Sequence, residues 1–83
     1  MAFTGRGWAY AELGNYKQAL DDFNKAIEFD PKMSMAYVNR GVVYSSKLGN
    51  HRQALEEYKK AIELDPKNAL AYYNRGCVYG ILG

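Results

Sequence analysis

The chain contains 83 residues, of which 48% are hydrophobic and 24% are charged, and its net charge is +2. A chain of this length forms one small domain, and this composition is typical of a globular protein rather than a disordered or fibrous one. The small net charge and the scattered arginines argue against nucleic-acid binding. A single cysteine and a single histidine provide no internal disulfide and no cluster for a structural zinc ion, so we expect no metal and no cofactor.

Neither a targeting segment nor a membrane span is predicted. Residues 1–17 lack the continuous apolar stretch of a signal peptide. No apolar run approaches the roughly 18 residues that a membrane-spanning helix requires. We therefore expect no membrane partner, and a cytoplasmic location is the default expectation.

An internal repeat organises the chain. The segment 13–31 recurs as 48–66 with most of its positions identical, and a shorter element at 5–10 recurs at 39–44 and at 74–79. A repeated block of this size is the signature of a solenoid, in which each unit packs on the next. We predict a single domain, 1–83, that divides into repeats at about 1–33 and 34–68 and a half repeat at 69–83.

Each full repeat is predicted to consist of two helices. Apolar residues recur at intervals of three and four positions, as in Ala19, Phe23 and Ala26, which places them in one stripe along a helix. Alternating patterns typical of strands are absent from the sequence. In chain order, the predicted helices cover residues 2–13, 16–29, 35–47, 51–64 and 69–82.

Small polar residues, glycine and proline mark the predicted helix ends. Gly14 and Gly49 suit the left-handed residue that ends a helix, and an asparagine followed three residues later by glutamine predicts a reciprocal N-cap. An Asp-Pro pair closes each second helix, because the residue before proline avoids helical geometry. The predicted N-caps are Asn15, Ser34, Asn50 and Asn68.

The period changes by one residue in the middle of the chain. Arg6 and Arg40 are 34 residues apart, whereas Arg40 and Arg75 are 35 residues apart. The spacing of tyrosine and leucine at the end of each first helix places the extra residue within 45–47. We therefore predict a bulge or a longer turn at the end of the third helix.

The repeated pattern resembles the tetratricopeptide repeat. An aromatic residue is followed by glycine after four positions and tyrosine after seven, and then by Ala-x-x-x-aromatic-x-x-Ala and a closing proline. The matching residues are Phe3, Gly7, Tyr10, Ala19, Phe23, Ala26 and Pro31, then Tyr37, Gly41, Tyr44, Ala54, Tyr58, Ala61 and Pro66, then Tyr72, Gly76 and Tyr79. The resemblance implies an all-α, right-handed α-solenoid of helix-turn-helix repeats, with two full repeats, one further helix and about five helices in all.

Arginine replaces the leucine that this family usually places before the glycine. It does so three times, at Arg6, Arg40 and Arg75. An arginine between helices buries its aliphatic stem and directs its guanidinium group to an acidic or carbonyl partner. We predict Asp22 and Glu57 as partners.

The resemblance also implies a peptide-binding groove, because the first helices of such repeats line the concave side of the solenoid. On this basis the predicted groove residues are Thr4, Trp8, Glu12, Met35, Val38, Asn39, Val42, Ser46, Leu70, Tyr73, Asn74, Cys77 and Ile81. Chaperone-binding members of the family hold the peptide main chain or its terminal carboxylate with an asparagine that matches Asn39. Solvated polar residues on a helix face are the alternative interpretation of Asn39 and Asn74.

The basic residues that surround that asparagine in chaperone-binding members are not matched here. Thr4, Trp8, Leu70 and Asn74 occupy their places, so the clamp for a terminal carboxylate is absent. The groove instead combines aromatic, methionine and aliphatic side chains with carboxamides. It therefore favours a segment with apolar anchors over an anionic tail.

These features predict a non-catalytic protein interaction module whose partner is a protein or peptide. No nucleophile with a base, paired carboxylates or metal cluster suggests an enzyme, and no catalytic residue is predicted. The last helix ends in apolar residues rather than in the polar cap that a repeat array usually carries. Self-assembly into homo-oligomers through these exposed repeat ends therefore remains the alternative prediction.

Overall fold

The computed structural model describes residues 2–82, with side chains described for residues 6–82. Within that range every regular element is helical, as predicted. The elements are α1 (Ala2–Glu12), α2 (Tyr16–Phe29), α3 (Ser34–Val42), a π-helical turn (Val43–Lys47) that continues α3, α4 (His51–Leu64) and α5 (Ala69–Leu82). Their ends agree with the predicted helices to within one residue when α3 and the π turn are taken together.

The helices stack as an all-α solenoid. α1 packs against α2, α3 against α4, and α4 against α5, while α2 joins the two repeats by packing on α3. The alanines at 19, 26, 54 and 61 are fully buried, and they let the helices approach closely around the large rings of Phe23 and Tyr58. The core is thus built from alternating small and large residues, as the repeat pattern predicts.

Two glycines form the turns inside the repeats. Gly14 and Gly49 have φ angles of 82° and 67°, the left-handed conformation in which glycine carries no Cβ penalty. After each glycine the backbone N–H of an asparagine bonds back to a tyrosine carbonyl, from Asn15 to Tyr10 at 2.8 Å and from Asn50 to Tyr44 at 2.7 Å. The two turns are therefore equivalent, although the second spans one more residue.

The π turn absorbs that extra residue. The N–H of Leu48 bonds to the carbonyl of Val43 five residues earlier, rather than to one four residues earlier as in an α-helix. The extra residue is thereby accommodated at the end of the helix, before Gly49. The predicted bulge at 45–47 is confirmed, and it begins two residues earlier than expected.

The predicted N-caps are only partly confirmed. Asn50 accepts a hydrogen bond from the N–H of Gln53 at 3.3 Å, and Asn68 accepts one from the N–H of Ala71 at 3.2 Å. The prediction was wrong for Asn15, whose side chain makes no capping bond.

Ser34 is the second incorrect cap. It is the first residue of α3, and its hydroxyl donates to the carbonyl of Ala61 at 2.8 Å and accepts from the amide of Asn68 at 2.8 Å. Ser34 is buried, and the Ala61 carbonyl that its hydroxyl contacts also accepts the backbone N–H of Asp65 at 2.9 Å. The serine thus links the start of α3 to the end of α4 and to the residue that caps α5, instead of capping its own helix.

Gly7 and Gly41 allow the closest helix contacts. A Cβ built on Gly7 would lie 2.6 Å from the Phe23 ring, and one built on Gly41 would lie 2.6 Å from the Tyr58 ring. Each glycine therefore provides the flat surface on which the aromatic ring of the second helix rests.

Tyr58 makes the stability of the fold dependent on pH in alkaline solution. Burial raises the pKa of Tyr58 to about 12, from an ordinary value of 10.0. Between these values the unfolded chain loses the phenolic proton before the folded chain does, so stability falls as the pH rises. This linkage predicts a loss on the order of 1 kcal/mol at pH 11.

Urea denaturation of the parent chain and of Tyr58→Phe at pH 8 and pH 11 measures this loss. The difference between the two chains isolates the contribution of Tyr58 from the other groups that titrate in this range. An equal pH dependence in both chains would contradict the prediction.

Candidate functional site

Two arginines form matching ion pairs within the repeats. Arg6 donates from Nε to Asp22 Oδ2 at 2.9 Å and from a terminal nitrogen to Oδ1 at 2.7 Å. Arg40 makes the same two-point contact with Glu57, and its second bond measures 2.9 Å. The predicted partners Asp22 and Glu57 are therefore confirmed.

Both carboxylates in these pairs are buried. The hydrogen bonds from Arg6 hold the pKa of Asp22 below its usual value, and the same contact raises the pKa of Arg6. Arg40 also donates to the side-chain oxygen of Asn24 at 2.7 Å, which links α3 to α2 of the preceding repeat. Arg40 thus contributes both within and between repeats.

Arg75 occupies the same repeat position on α5 but has a different environment. Its guanidinium carbon lies 5.2 Å from the centre of the Tyr72 ring and 6.0 Å from that of Tyr79. The ion pairs described above involve Arg6 and Arg40, and Arg75 makes no ion pair with another described residue. The described contacts of the third arginine are with these two aromatic rings.

The structure places the predicted groove residues on three helices, with α3 in contact with both α1 and α5. The side chain of Thr4 lies outside the described residues. The exposed members are Glu12, Met35, Ser46, Leu70, Tyr73, Cys77 and Ile81, and the half-buried members are Trp8, Val42 and Asn74. These ten side chains are accessible in the structure, and their role in binding stays a prediction.

Val38 is not accessible. Only 2% of its surface is exposed, and it belongs to the core cluster that includes Tyr58, Ala71 and Val78. Its helix position faces α4 and α5 because those helices cover it. Val38 is therefore a core residue that lies below the predicted groove, and it exposes almost no area to a ligand.

Asn39 is also buried, with 5% of its surface exposed, yet its amide has no hydrogen-bond partner among the described residues. No fully enclosed side-chain nitrogen or oxygen in that part of the chain lacks a partner. The polar atoms of Asn39 must therefore reach the surface through a small opening. An amide in this position can donate and accept at once, which suits a peptide main chain.

Asn74, the equivalent residue on α5, is engaged differently. Its amide nitrogen donates to the carbonyl of Leu70 at 2.9 Å, one turn earlier in the same helix. Trp8 packs edge-to-face on Phe23, with ring centres 5.8 Å apart. The tryptophan and Asn74 are thus fixed by intramolecular contacts, whereas the Asn39 amide is not.

Across the described side chains, no group of three or more His, Cys, Asp or Glu residues is placed to hold a metal ion. Cys77 is exposed. None of the helices within residues 2–82 has both the length and the apolar character needed to cross a bilayer.

Two connections between helices were missed in the sequence. Ser34 with Asn68 joins the start of α3 to the residue before α5, and Arg40 with Asn24 joins α3 to α2 of the preceding repeat. Ser34 is the first residue of α3, whereas Asn68 precedes the first residue of α5, so the two positions are not equivalent and the repeat pattern offered no signal for their contact. The Asn24 contact has no counterpart in the second repeat, where Lys59 stands, so the sequence offered no signal for it.

The chain is similar to a domain of known structure and to part of a named plant protein. A solved structure titled "First TPR of Spaghetti (RPAP3) bound to HSP90 peptide SRMEEVD" matches with a TM-score of 0.83 and 28% identity, over 96% of this chain and 63% of the other. A protein SGT1 homolog of Oryza sativa subsp. japonica is 49% identical over 39 residues, which are 47% of this chain and 11% of the relative. The chain therefore spans about a tenth of the SGT1 homolog and less than two thirds of the solved chain.

Family models account for the whole sequence. Two models described as a tetratricopeptide repeat match residues 1–33 and 23–56, and a third described as a TPR repeat matches residues 46–83. Together with the helix pairs described above, these overlapping matches show that the chain belongs to the tetratricopeptide repeat family.

Proposed function

We propose that this chain is a non-catalytic interaction module that binds a short peptide segment along α1, α3 and α5. The observation that carries the proposal is the amide of Asn39, which is buried but has no intramolecular partner among the described residues. A peptide main chain can donate to and accept from this amide in place of water. The neighbouring solved domain, which binds an HSP90 peptide, supports a peptide as the class of ligand.

The chemistry of the accessible groups favours a neutral ligand with apolar anchors. Leu70, Tyr73 and Ile81 are more than half exposed on α5, and Met35 is 39% exposed on α3. None of the predicted groove residues is basic, and the one charged member is Glu12. The acidic residues of a peptide such as SRMEEVD, which the neighbour binds, would find no basic partner among these groove residues. They would be repelled by the carboxylate of Glu12.

A library of uncharged peptides of about 12 residues, each with two aromatic or leucine anchors, tests this proposal by fluorescence anisotropy. We expect the best peptide to bind with a dissociation constant on the order of micromolar, since so short a surface buries little area. Asn39→Ala should weaken its binding roughly tenfold, because one main-chain amide loses its partner. Leu70→Glu, at an exposed anchor, should weaken it as much.

Asn15→Ala is the matched control, since Asn15 is exposed and makes no capping bond. It should bind as the parent chain does, and thermal melting should show all three variants folded. Equal binding by Asn39→Ala and the parent would contradict the role of Asn39. Binding of SRMEEVD as tight as that of the best uncharged peptide would contradict the proposed neutral ligand.

A further inference from the structure

We propose that Met35 is an oxidation site, at which a peroxide forms a sulfoxide that strengthens the connection between α3 and α5. Met35 lies in the first turn of α3, and Asn68 is the residue before α5. The amide nitrogen of Asn68 contacts both Met35 and Ser34, so these three side chains join the starts of the two helices. The inference goes beyond the proposed peptide binding and does not rest on it.

The first argument is the hydrogen bonding of the Asn68 amide. Its oxygen caps α5 by accepting from the N–H of Ala71 at 3.2 Å. Its nitrogen donates to Ser34 Oγ at 2.8 Å and lies 3.6 Å from Met35 Sδ. Asn68 is only 8% exposed, and an amide nitrogen carries two hydrogens. The amide is therefore held in one orientation, with Met35 as the acceptor of its second N–H.

The second argument is the weakness of that acceptor. A thioether sulfur accepts a hydrogen bond weakly, whereas oxidation to the sulfoxide makes the methionine side chain polar. A buried amide N–H gains stability from a better acceptor, because water does not reach it freely. Oxidation of Met35 therefore supplies Asn68 with a stronger partner than the one it has in the reduced chain.

The third argument is geometry. Consider an oxygen on Met35 Sδ that accepts from Asn68 Nδ2 at about 2.8 Å with a bent angle at the oxygen. It leaves the sulfur roughly 3.5 to 4 Å from that nitrogen. The sulfur of the reduced chain lies 3.6 Å away. Methionine has three rotatable bonds, which turn the oxygen toward Asn68 without a change in the backbone. The sulfoxide thus fits in the space that the thioether occupies.

The reaction needs a peroxide and no catalytic group of the protein. Met35 is 39% exposed, so a small oxidant reaches its side chain. The sulfur attacks one oxygen of hydrogen peroxide, an S–O bond forms and the O–O bond breaks. The departing hydroxide takes the proton of the transferred oxygen and becomes water. The sulfur is oxidised by two electrons, and the peroxide is reduced by the same two.

Thermal melting of the intact chain before and after treatment with hydrogen peroxide tests the inference, with tandem mass spectrometry to locate the added oxygen on Met35. We expect oxidation to raise the melting temperature by roughly 2 to 4 °C, because a stronger hydrogen bond has a large effect on so small a domain. Met35→Leu, treated in the same way, controls for oxidation of the other methionines and of Cys77. Its melting temperature should not rise.

Asn68→Asp separates the hydrogen bond from any general effect of oxidation. This variant keeps the oxygen that caps α5 but has no N–H to offer the sulfoxide, so oxidation should not raise its melting temperature. Asn68→Ser keeps a capping oxygen on a side chain too short to reach the sulfur, and should give the same result. Each comparison is made within one variant, so the cost of the substitution itself cancels.

Three results would overturn the inference. The first is oxidation of Met33, which is half-buried, ahead of Met35 in the folded chain. The second is a melting temperature of the parent that falls or stays constant when Met35 carries the oxygen. The third is a rise of equal size in the parent and in both Asn68 variants, which would show that the sulfoxide does not act through Asn68.

Discussion

Arg40→Leu is expected to lower the free energy of unfolding by about 2 to 4 kcal/mol, although leucine is the residue that the family usually places there. The cause is Glu57, of which only 4% is exposed, and whose carboxylate receives two hydrogen bonds from Arg40. Leucine would leave this charge buried without a partner, and would also remove the contact with Asn24. Urea denaturation at pH 7 measures the loss.

A second substitution separates the charge from the packing. Arg40→Leu combined with Glu57→Leu removes both charges, and should recover most of the lost stability because a packed apolar pair often replaces a buried ion pair at little cost. Arg52→Leu, at an exposed arginine of α4, is the matched control and should change stability by less than about 0.5 kcal/mol. An Arg40→Leu chain as stable as the parent would show that the pairing is not required.

Alanine at two equivalent glycines should have opposite effects. Gly41→Ala forces a Cβ to within 2.6 Å of the Tyr58 ring and 3.1 Å of Glu57 Cβ, so we expect a loss of about 2 to 3 kcal/mol. Gly76→Ala meets open space in the middle of α5, and the higher helix propensity of alanine should stabilise the chain by roughly 0.5 to 1 kcal/mol.

Thermal and urea unfolding of the two variants beside the parent measure this difference. The comparison is internally controlled, because the same substitution is made at the same repeat position on two helices. Destabilisation by Gly76→Ala would show that α5 is already covered in solution, whereas a neutral Gly41→Ala would show that the Tyr58 ring moves aside without cost.

The features predicted correctly from sequence are those that repeat. The spacing of hydrophobic residues predicted the helices. The ion pairs could be predicted because arginine and an acidic residue recur at the same repeat positions, as Arg6 with Asp22 and Arg40 with Glu57. The Arg6 and Arg40 pairs could thus be inferred before any coordinates were known.

Features that depend on how neighbouring repeats meet were predicted poorly. Ser34 was expected to cap its own helix, but its hydroxyl donates instead to the carbonyl of Ala61, which also accepts the N–H of Asp65. Val38 was expected in the groove, but only 2% of its surface is exposed. Asn39, the next residue, is almost equally buried, at 5%. Neighbouring helices therefore cover more of the circumference of α3 than a helix with one buried and one exposed face would show. The spacing of apolar residues along one helix does not show when a second and a third helix pack on the same residue.

The π turn after α3 has a consequence for how this chain tolerates insertions. After the turn, the N–H of Asn50 donates to the carbonyl of Tyr44, as the N–H of Asn15 donates to the carbonyl of Tyr10 in the first repeat. Ser45, inside the turn, is buried, and its Oγ lies 3.0 Å from His51 Nδ1. One extra residue is thus accommodated by the local change from α-helical to π-helical hydrogen bonding, and α3 and α4 keep the same packing as the helices of the first repeat. Residue count and structural register are therefore uncoupled at this junction, and an alignment of the two repeats that forbids a gap there would misassign the residues between Tyr44 and Leu48.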